Sequence, residues 1–340
     1  MWRRHCKIWV GVSCMIEVVG IGDPIMDFLI HTNRIPVTNG VSRLKDYSWQ
    51  GGGKVPTALV ALGILGVRTG IIGVVGADAF GRFCIDDFKR HNVDTSRLIV
   101  DPNGRTTFCI CLSEQETQGR SFIGRGSTVR KLTVDDLDKA YVTQGRFLHL
   151  SDMDQPSRQA AVWAREKGVT VAFDADYYHP EIEGNYELID VFIASEFYYN
   201  AVFKDDNYEK NCKSIQEQGP EIVVFTFGER GCLGVYGDKY FKIPAFKVEV
   251  MDTTGAGDVY HGAFIYGLLQ GWDVEYTARF SSAVSAIKCT RVGGRAGIPD
   301  VPTVEKFLKD GVIDYTEIDR RVDFYREYMF NLSSEGASYL

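Results

Sequence analysis

The chain has 340 residues, 45% of them apolar and 24% charged, with 35 glycines and a formal net charge of −7. That composition excludes a disordered or collagen-like chain, and the acidic balance argues against binding nucleic acid through a basic face. The longest apolar stretch, Val55–Ala77, is broken by Arg68 and five glycines, so no membrane span is expected.

The first sixteen residues carry Arg3, Arg4 and Lys7 ahead of the apolar run Ile8–Val12, a faint likeness to a secretory leader. Ser13-Cys14-Met15 makes a poor cleavage region, however, and a buried strand begins at once with Val18-Val19-Gly20-Ile21. Residues 1–14 therefore read as a disordered or non-native leader, with Met15 as the working start. The eight cysteines contain no CxxC, and the six histidines are scattered, so zinc spacing is absent. Reduced thiols and a cytoplasmic location are expected.

From Val18 onward, short β-branched runs alternate with longer amphipathic ones. Strands are predicted at Val18–Gly22, Gly70–Val75, Phe147–Leu150, Val169–Phe173, Val191–Ala194 and Ile222–Phe227. Helices are predicted at Thr57–Leu65, Gly81–His91, Gln155–Lys167 and Asn207–Gln218, with Gly168 and Gly219-Pro220 as stops. Strands joined by helix-length crossovers imply an α/β fold: a doubly wound, mainly parallel sheet with helices on both faces. Two alternating polar–apolar stretches, residues 30–50 and 106–125, interrupt this pattern and are expected to meet as a small antiparallel lid. The core is taken as 15–311, and 312–340 as a charged, partly helical tail without an assigned role.

The most informative segment is Asp252-Thr253-Thr254-Gly255-Ala256-Gly257-Asp258, followed by the apolar run Val259–Leu269. Small residues at 255–257 let the backbone turn tightly, and a helix starting there points several N–H groups at one spot. Such a turn suits a phosphate, and Asp258 sits where the helix meets the anion hole. Phosphoryl transfer needs a hydroxyl nucleophile, a proton acceptor and donors around the moving group, and this turn supplies the last two. Two plainer readings compete: Asp258 as a helix N-cap, and the glycines as an ordinary loop. Asp27, five residues beyond the strand-ending Gly22, belongs at the carboxyl edge of a parallel sheet, where ligands bind; its plainer reading is a turn aspartate. GxxxxGK[ST] and a complete GxGxxG are both absent.

Asp252–Asp258 with Gly262-Ala263-Phe264 resembles the C-terminal signature of the PfkB, or ribokinase-like, carbohydrate kinases. Gly20–Asp27 resembles that family's first-strand motif, and Gly51-Gly52-Gly53-Lys54 its di-glycine substrate loop. Gly76–Gly81 resembles its GxDxxG turn, Thr226–Gly231 its TxGxxG nucleotide loop, and Gly293–Pro299 the segment closing the adenine side. The likeness runs from about Val18 to Leu308. It implies a ribokinase-like fold and an ATP-dependent kinase acting on a hydroxyl of a sugar or sugar derivative. By the same resemblance Asp258 would be the general base, and Gly255, Ala256 and Gly257 the anion hole. Asp27, Gly51, Gly52 and Lys54 would face the substrate, while Thr226, Gly228, Gly231 and Ser282 would line ATP. Magnesium would come with the nucleotide, and Asp252 and Thr254 match positions that hold a monovalent cation such as K+.

Three motifs depart from the pattern. Pro56 replaces an asparagine that touches the sugar, Ser195 and Tyr198 replace both ends of an NxxE motif that helps order magnesium, and Asp174-Ala175-Asp176-Tyr177-Tyr178 lacks the arginine of DxNxR. Without that arginine an acid sugar loses its carboxylate clamp, which favours a neutral acceptor. The alternatives are a nucleoside kinase, since Gly22–Asp27 also resembles the start of adenosine kinases, and a catalytically silent binding protein. A homodimer through the lid is expected.

Overall fold

The structure, a computed structural model, describes residues 15–117 and 119–331, so the leader expected at 1–14 lies outside the described residues. Strands β1 (Val18–Ile21), β4 (Thr69–Gly76), β5 (Val93–Asp101), β8 (Phe147–Leu150), β9 (Thr170–Ala175), β10 (Val191–Ser195), β11 (Ile222–Thr226), β12 (Cys232–Tyr236) and β13 (Lys239–Ile243) form one sheet. Their order is β13-β12-β11-β10-β9-β8-β1-β4-β5. All neighbours run parallel except the β11–β12–β13 meander. The residues of β1 and β4 are buried throughout, as a strand covered on both faces requires.

Helices cover both faces. One side carries α1 (Lys54–Ile64), α2 (Ala79–Arg90), α8 (Ala256–Leu269), α9 (Val274–Lys288), α10 (Val301–Asp310) and α11 (Thr316–Asn331), packed through Leu59, Phe88, Phe264, Val284 and Tyr325. The other side carries α3 (Lys139–Val142), α4 (Gln155–Lys167), α5 (Pro180–Glu183), α6 (Glu196–Val202) and α7 (Tyr208–Gln216), packed through Ala160, Ala164, Tyr198 and Ile215. β1 pairs with β4 on one edge and β8 on the other. The chain reverses its winding there, so the carboxyl ends of these strands open a crevice.

A second sheet of β2 (Ile25–Thr32), β3 (Leu44–Gly52), β6 (Thr107–Glu114) and β7 (Arg120–Arg125) has the order β3-β2-β6-β7. It joins the two inserted stretches, but it is mixed rather than antiparallel, because β2 and β6 run parallel with Asp27 opposite Cys109. The chain leaves this sheet after β3, passes through α1, β4, α2 and β5, and returns in the same direction, as a crossover connection dictates. The region beyond residue 311, expected as a charged, partly helical tail, contains α11 (Thr316–Asn331). In α11, Tyr325 is fully buried; its hydroxyl donates to Asp87 Oδ1 at 2.6 Å and meets His91 Nε2 at 2.8 Å. Ile318, Val322 and Tyr325, spaced four and three apart, give the helix a narrow inward stripe among its charges.

Candidate active site

Local sequence builds the catalytic corner. Gly255 precedes α8 with φ 75°, a left-handed conformation; a Cβ there would also lie 2.7 Å from Gly294 Cα. Asp252 braces the turn: its Oδ1 accepts the Thr254 amide at 2.9 Å and the Thr254 hydroxyl at 2.8 Å, and its Oδ2 accepts the Gly293 amide at 2.8 Å. The end of α9 holds the corner from behind. Ser285 Oγ donates to Ala256 O at 2.9 Å, and Cys289 O accepts the Met251 amide at 2.8 Å. The first turn of α8 thus presents Ala256, Gly257 and Asp258, and a Cβ built on Gly257 would meet nothing within 4 Å.

Asp258 is the third residue of α8, not its cap, and among the described residues its carboxylate accepts no hydrogen bond. Burial, with the nearby Asp174 and Asp176 carboxylates, holds its pKa well above the usual aspartate range; Lys54 and Arg120 oppose them. His261, one turn further along α8, shares the face of Asp258 and places Nε2 3.3 Å from Asp174 Oδ1. Burial would raise Asp174, yet His261 outweighs it and keeps that carboxyl low. Lys54 opens α1 and lies 3.9 Å from Asp176 Oδ2. Arg120 reaches in from β7 of the lid and donates to Thr253 O at 2.8 Å. Asp174, Asp176, His261 and Arg120 were not among the expected site residues; the inserted cation on an alternating strand was the available signal for Arg120.

Asp27 lies on β2 opposite Gln50 of β3. Burial pushes its carboxyl up to about 7, against the pull of Arg295 and a Cys111 hydrogen bond. Gly52 has no room for a side chain, because a Cβ would run into the Asp27 carboxylate; one at Gly51 would strike the Arg295 guanidinium. Arg295, fully buried, donates to Gly52 O at 3.0 Å and to Asp87 at 2.5 Å, and its amide donates to Gln50 Oε1 at 2.7 Å. The Gly293–Pro299 segment, expected at the adenine side, is therefore tied through Arg295 to the substrate-side strand. Pro56 is buried in the first turn of α1, with Lys54 and Thr57 as the polar residues of that turn. The thiols of Cys109 and Cys111 cluster with the Asp27 carboxylate. Burial and Asp27 raise both thiols, which disfavours the thiolates a soft metal would need.

The residues expected to line ATP sit further along the same carboxyl edge. Thr226 ends β11, Gly228 opens onto free space, and Gly231 closes a short turn beside Ile243 O. Ser282 of α9 is half-buried and turns toward Cys232 Sγ at 3.8 Å. In place of the NxxE pair, Ser195 caps α6 by accepting the Phe197 amide at 3.0 Å, while Tyr198 is fully buried. Neighbouring Glu196 is paired with Arg230 at 3.0 Å.

Residues 15–301 match the family described as pfkB family carbohydrate kinase. The chain belongs to this family. Among its curated relatives, the 5-dehydro-2-deoxygluconokinase of Clostridium perfringens is 29% identical over 330 residues, spanning 90% of this chain and 96% of its own. That of Shouchella clausii is 24% identical over 318 residues, spanning 86% and 96%. Two solved structures share the fold. The ribokinase of Thermotoga maritima aligns with a TM-score of 0.74 at 23% identity, over 87% of this chain and 100% of its own. A putative ribokinase II from E. coli in complex with ATP and Mg2+ gives 0.77 at 21% identity, over 87% and 99%. As a pfkB-family member the protein is a carbohydrate kinase, a phosphotransferase with a sugar-type acceptor. Among the described residues no helix is long and apolar enough to cross a membrane.

Proposed function

We propose that the protein transfers the γ-phosphoryl group of ATP to a hydroxyl of a sugar acid of the 5-dehydro-2-deoxygluconate type. The observation that carries phosphoryl transfer is Asp258, an unbonded carboxyl of raised pKa in the first turn of a helix that opens onto free space at Gly257. The amides of Gly255 and Gly257, with that of Ala256 once it is released from Thr253 O (3.2 Å), surround the moving phosphoryl group with donors at the positive helix end. Asp258 removes the acceptor proton, and its raised pKa makes it a stronger base than an ordinary aspartate. Asp27 accepts hydrogen bonds from other acceptor hydroxyls, while Gly51 and Gly52 let the acceptor lie against the backbone of β3. Thr226, Gly228 and Gly231 follow the nucleotide phosphates, with Ser282 on the adenine side.

The donor set fits magnesium arriving with the nucleotide. Asp176, raised by burial and by Asp174, is a carboxylate whose charge such an ion would relieve, and the ion's chemistry is to neutralise the phosphates. The acidic acceptor follows from the relatives' names and from two cations, Lys54 and Arg120, at the mouth beside Asp258. These stand in for the arginine that Tyr178 replaces. Measuring ADP release with 5-dehydro-2-deoxygluconate, ribose and adenosine tests this. The acid is expected to give the highest kcat/KM; ribose or adenosine equalling it would contradict the assignment.

We also assign the outer lid edge to a second copy of the chain. All six residues of β7 are exposed, Phe122 and Ile123 among them, and an unpaired apolar edge strand invites pairing. A dimer in sedimentation, lost on Ile123→Lys, is expected; a concentration-independent monomer would contradict it. Six described cysteines are free thiols, which supports a reducing, cytoplasmic setting.

A further inference from the structure

Lys288, the last residue of α9, is fully buried and ranks among the largest such side chains. Its Nζ donates to Asp252 O at 2.9 Å and to Thr254 O. Among the described residues no carboxylate lies within 4.0 Å of it, so these carbonyls carry much of the ammonium's compensation. They belong to the two residues at which the resemblance places a monovalent cation. The Asp252 carboxylate is already committed to the Thr254 amide and hydroxyl and to the Gly293 amide. A free K+ ion therefore does not fit the donors present.

We infer that the Lys288 ammonium takes the place of a monovalent metal ion behind the anion hole, so that this kinase works without K+. In a trans peptide the C=O and N–H point opposite ways. Pulling Thr254 O back toward Lys288 turns the Gly255 N–H forward, toward the phosphoryl site. The ammonium polarises that peptide and adds a fixed positive charge behind the developing negative one. The position suits a cation, because the C-terminal end of α9 carries the negative pole of its dipole. A bound ion would leave and return with the salt; a lysine does not. Lys288 is thus a positioning residue acting through the backbone of the turn.

This inference rests on phosphoryl transfer at the 255–258 turn, and the experiment separates the two. Turnover and thermal unfolding of the whole chain are measured in KCl and in choline chloride at equal ionic strength. The wild type should give the same kcat and the same Tm in both salts. Activation by K+, or a Tm raised by K+ alone, would overturn the inference; the thermal arm needs no acceptor and stands even if the acceptor assignment fails. Lys288→Met should lose about 10–100-fold in kcat in choline and recover part of it in KCl, with a K+-dependent rise in Tm that the wild type lacks. A lysine needed only for folding would lower Tm equally in both salts, and that outcome, or unchanged turnover in the variant, would refute the inference. Should Lys288→Met fail to fold, Lys288→Gln, which keeps a donor without the charge, takes its place under the same outcomes.

Discussion

Two buried aspartates that both feel Arg295 titrate in opposite directions. Asp27 is pushed up to about 7 by burial, so below that pH it is neutral and a poor acceptor for sugar hydroxyls. The acceptor KM is therefore expected to fall as pH rises through about 7, and Asp27→Asn should flatten that dependence; steady-state kinetics across pH would reveal it, and an unchanged slope in the variant would count against Asp27. Its folded state also holds a proton that the unfolded chain releases, so its contribution to stability declines with rising pH between the ordinary carboxylate range and about 7. Asp87 does the reverse. Burial would raise it, but His91, Arg295 and Tyr325 hold it well below the usual range, so its contribution is present above that range and lost on acidification. At this scale Asp258 and Asp27 are legible in the sequence because each sits in a contiguous string. Asp174, Arg120 and Lys288 are not, because β9, β7 and α9 bring them to the corner from more than thirty residues away in the chain.

Among the elements, the end of β3 shows how closely packing limits the site. A Cβ on Gly52 would enter the Asp27 carboxylate, so Gly52→Ala should cost about 1–3 kcal/mol in acceptor binding, read as a rise of roughly 5–150-fold in KM with nucleotide affinity kept. An unaltered KM would mean that Asp27 moves aside without loss. Four crossover helices, the helix after Asp258 and most parallel strands follow from periodicity and from stops such as Gly168, which takes φ 72° at the end of α4, whereas α9 and α10 are not among the predicted helices. The β12–β13 hairpin and β5 are not evident from the same signals, because β12 is short and broken by Gly234 while β13 and β5 interleave charged and polar residues with apolar ones. The parallel pairing of β2 with β6 is equally hidden, since alternation reports that a strand has two faces and not the direction of its neighbour.

For the whole molecule, a buried ionic network joins the lid sheet to the C-terminal helix. Arg295 is 1% and Asp87 2% exposed, and Tyr325 of α11 closes the same cluster. Removing one buried partner strands the other, so Arg295→Met should destabilise the fold by about 3–5 kcal/mol, and Tyr325→Phe by about 1–3 kcal/mol, in denaturant unfolding. Losses near zero would show that water compensates the carboxylate. The network explains why 316–331 belongs with the core, which its charge-rich sequence conceals behind three inward residues per two turns. The carbohydrate-kinase assignment itself turns on one corner, and its most direct measurement is turnover of Asp258→Asn beside its affinity for ATP. A loss of roughly 10²–10⁴ in kcat with ATP affinity and Tm preserved is expected of a removed general base. Near wild-type turnover on the acceptor that the native chain uses best would contradict it.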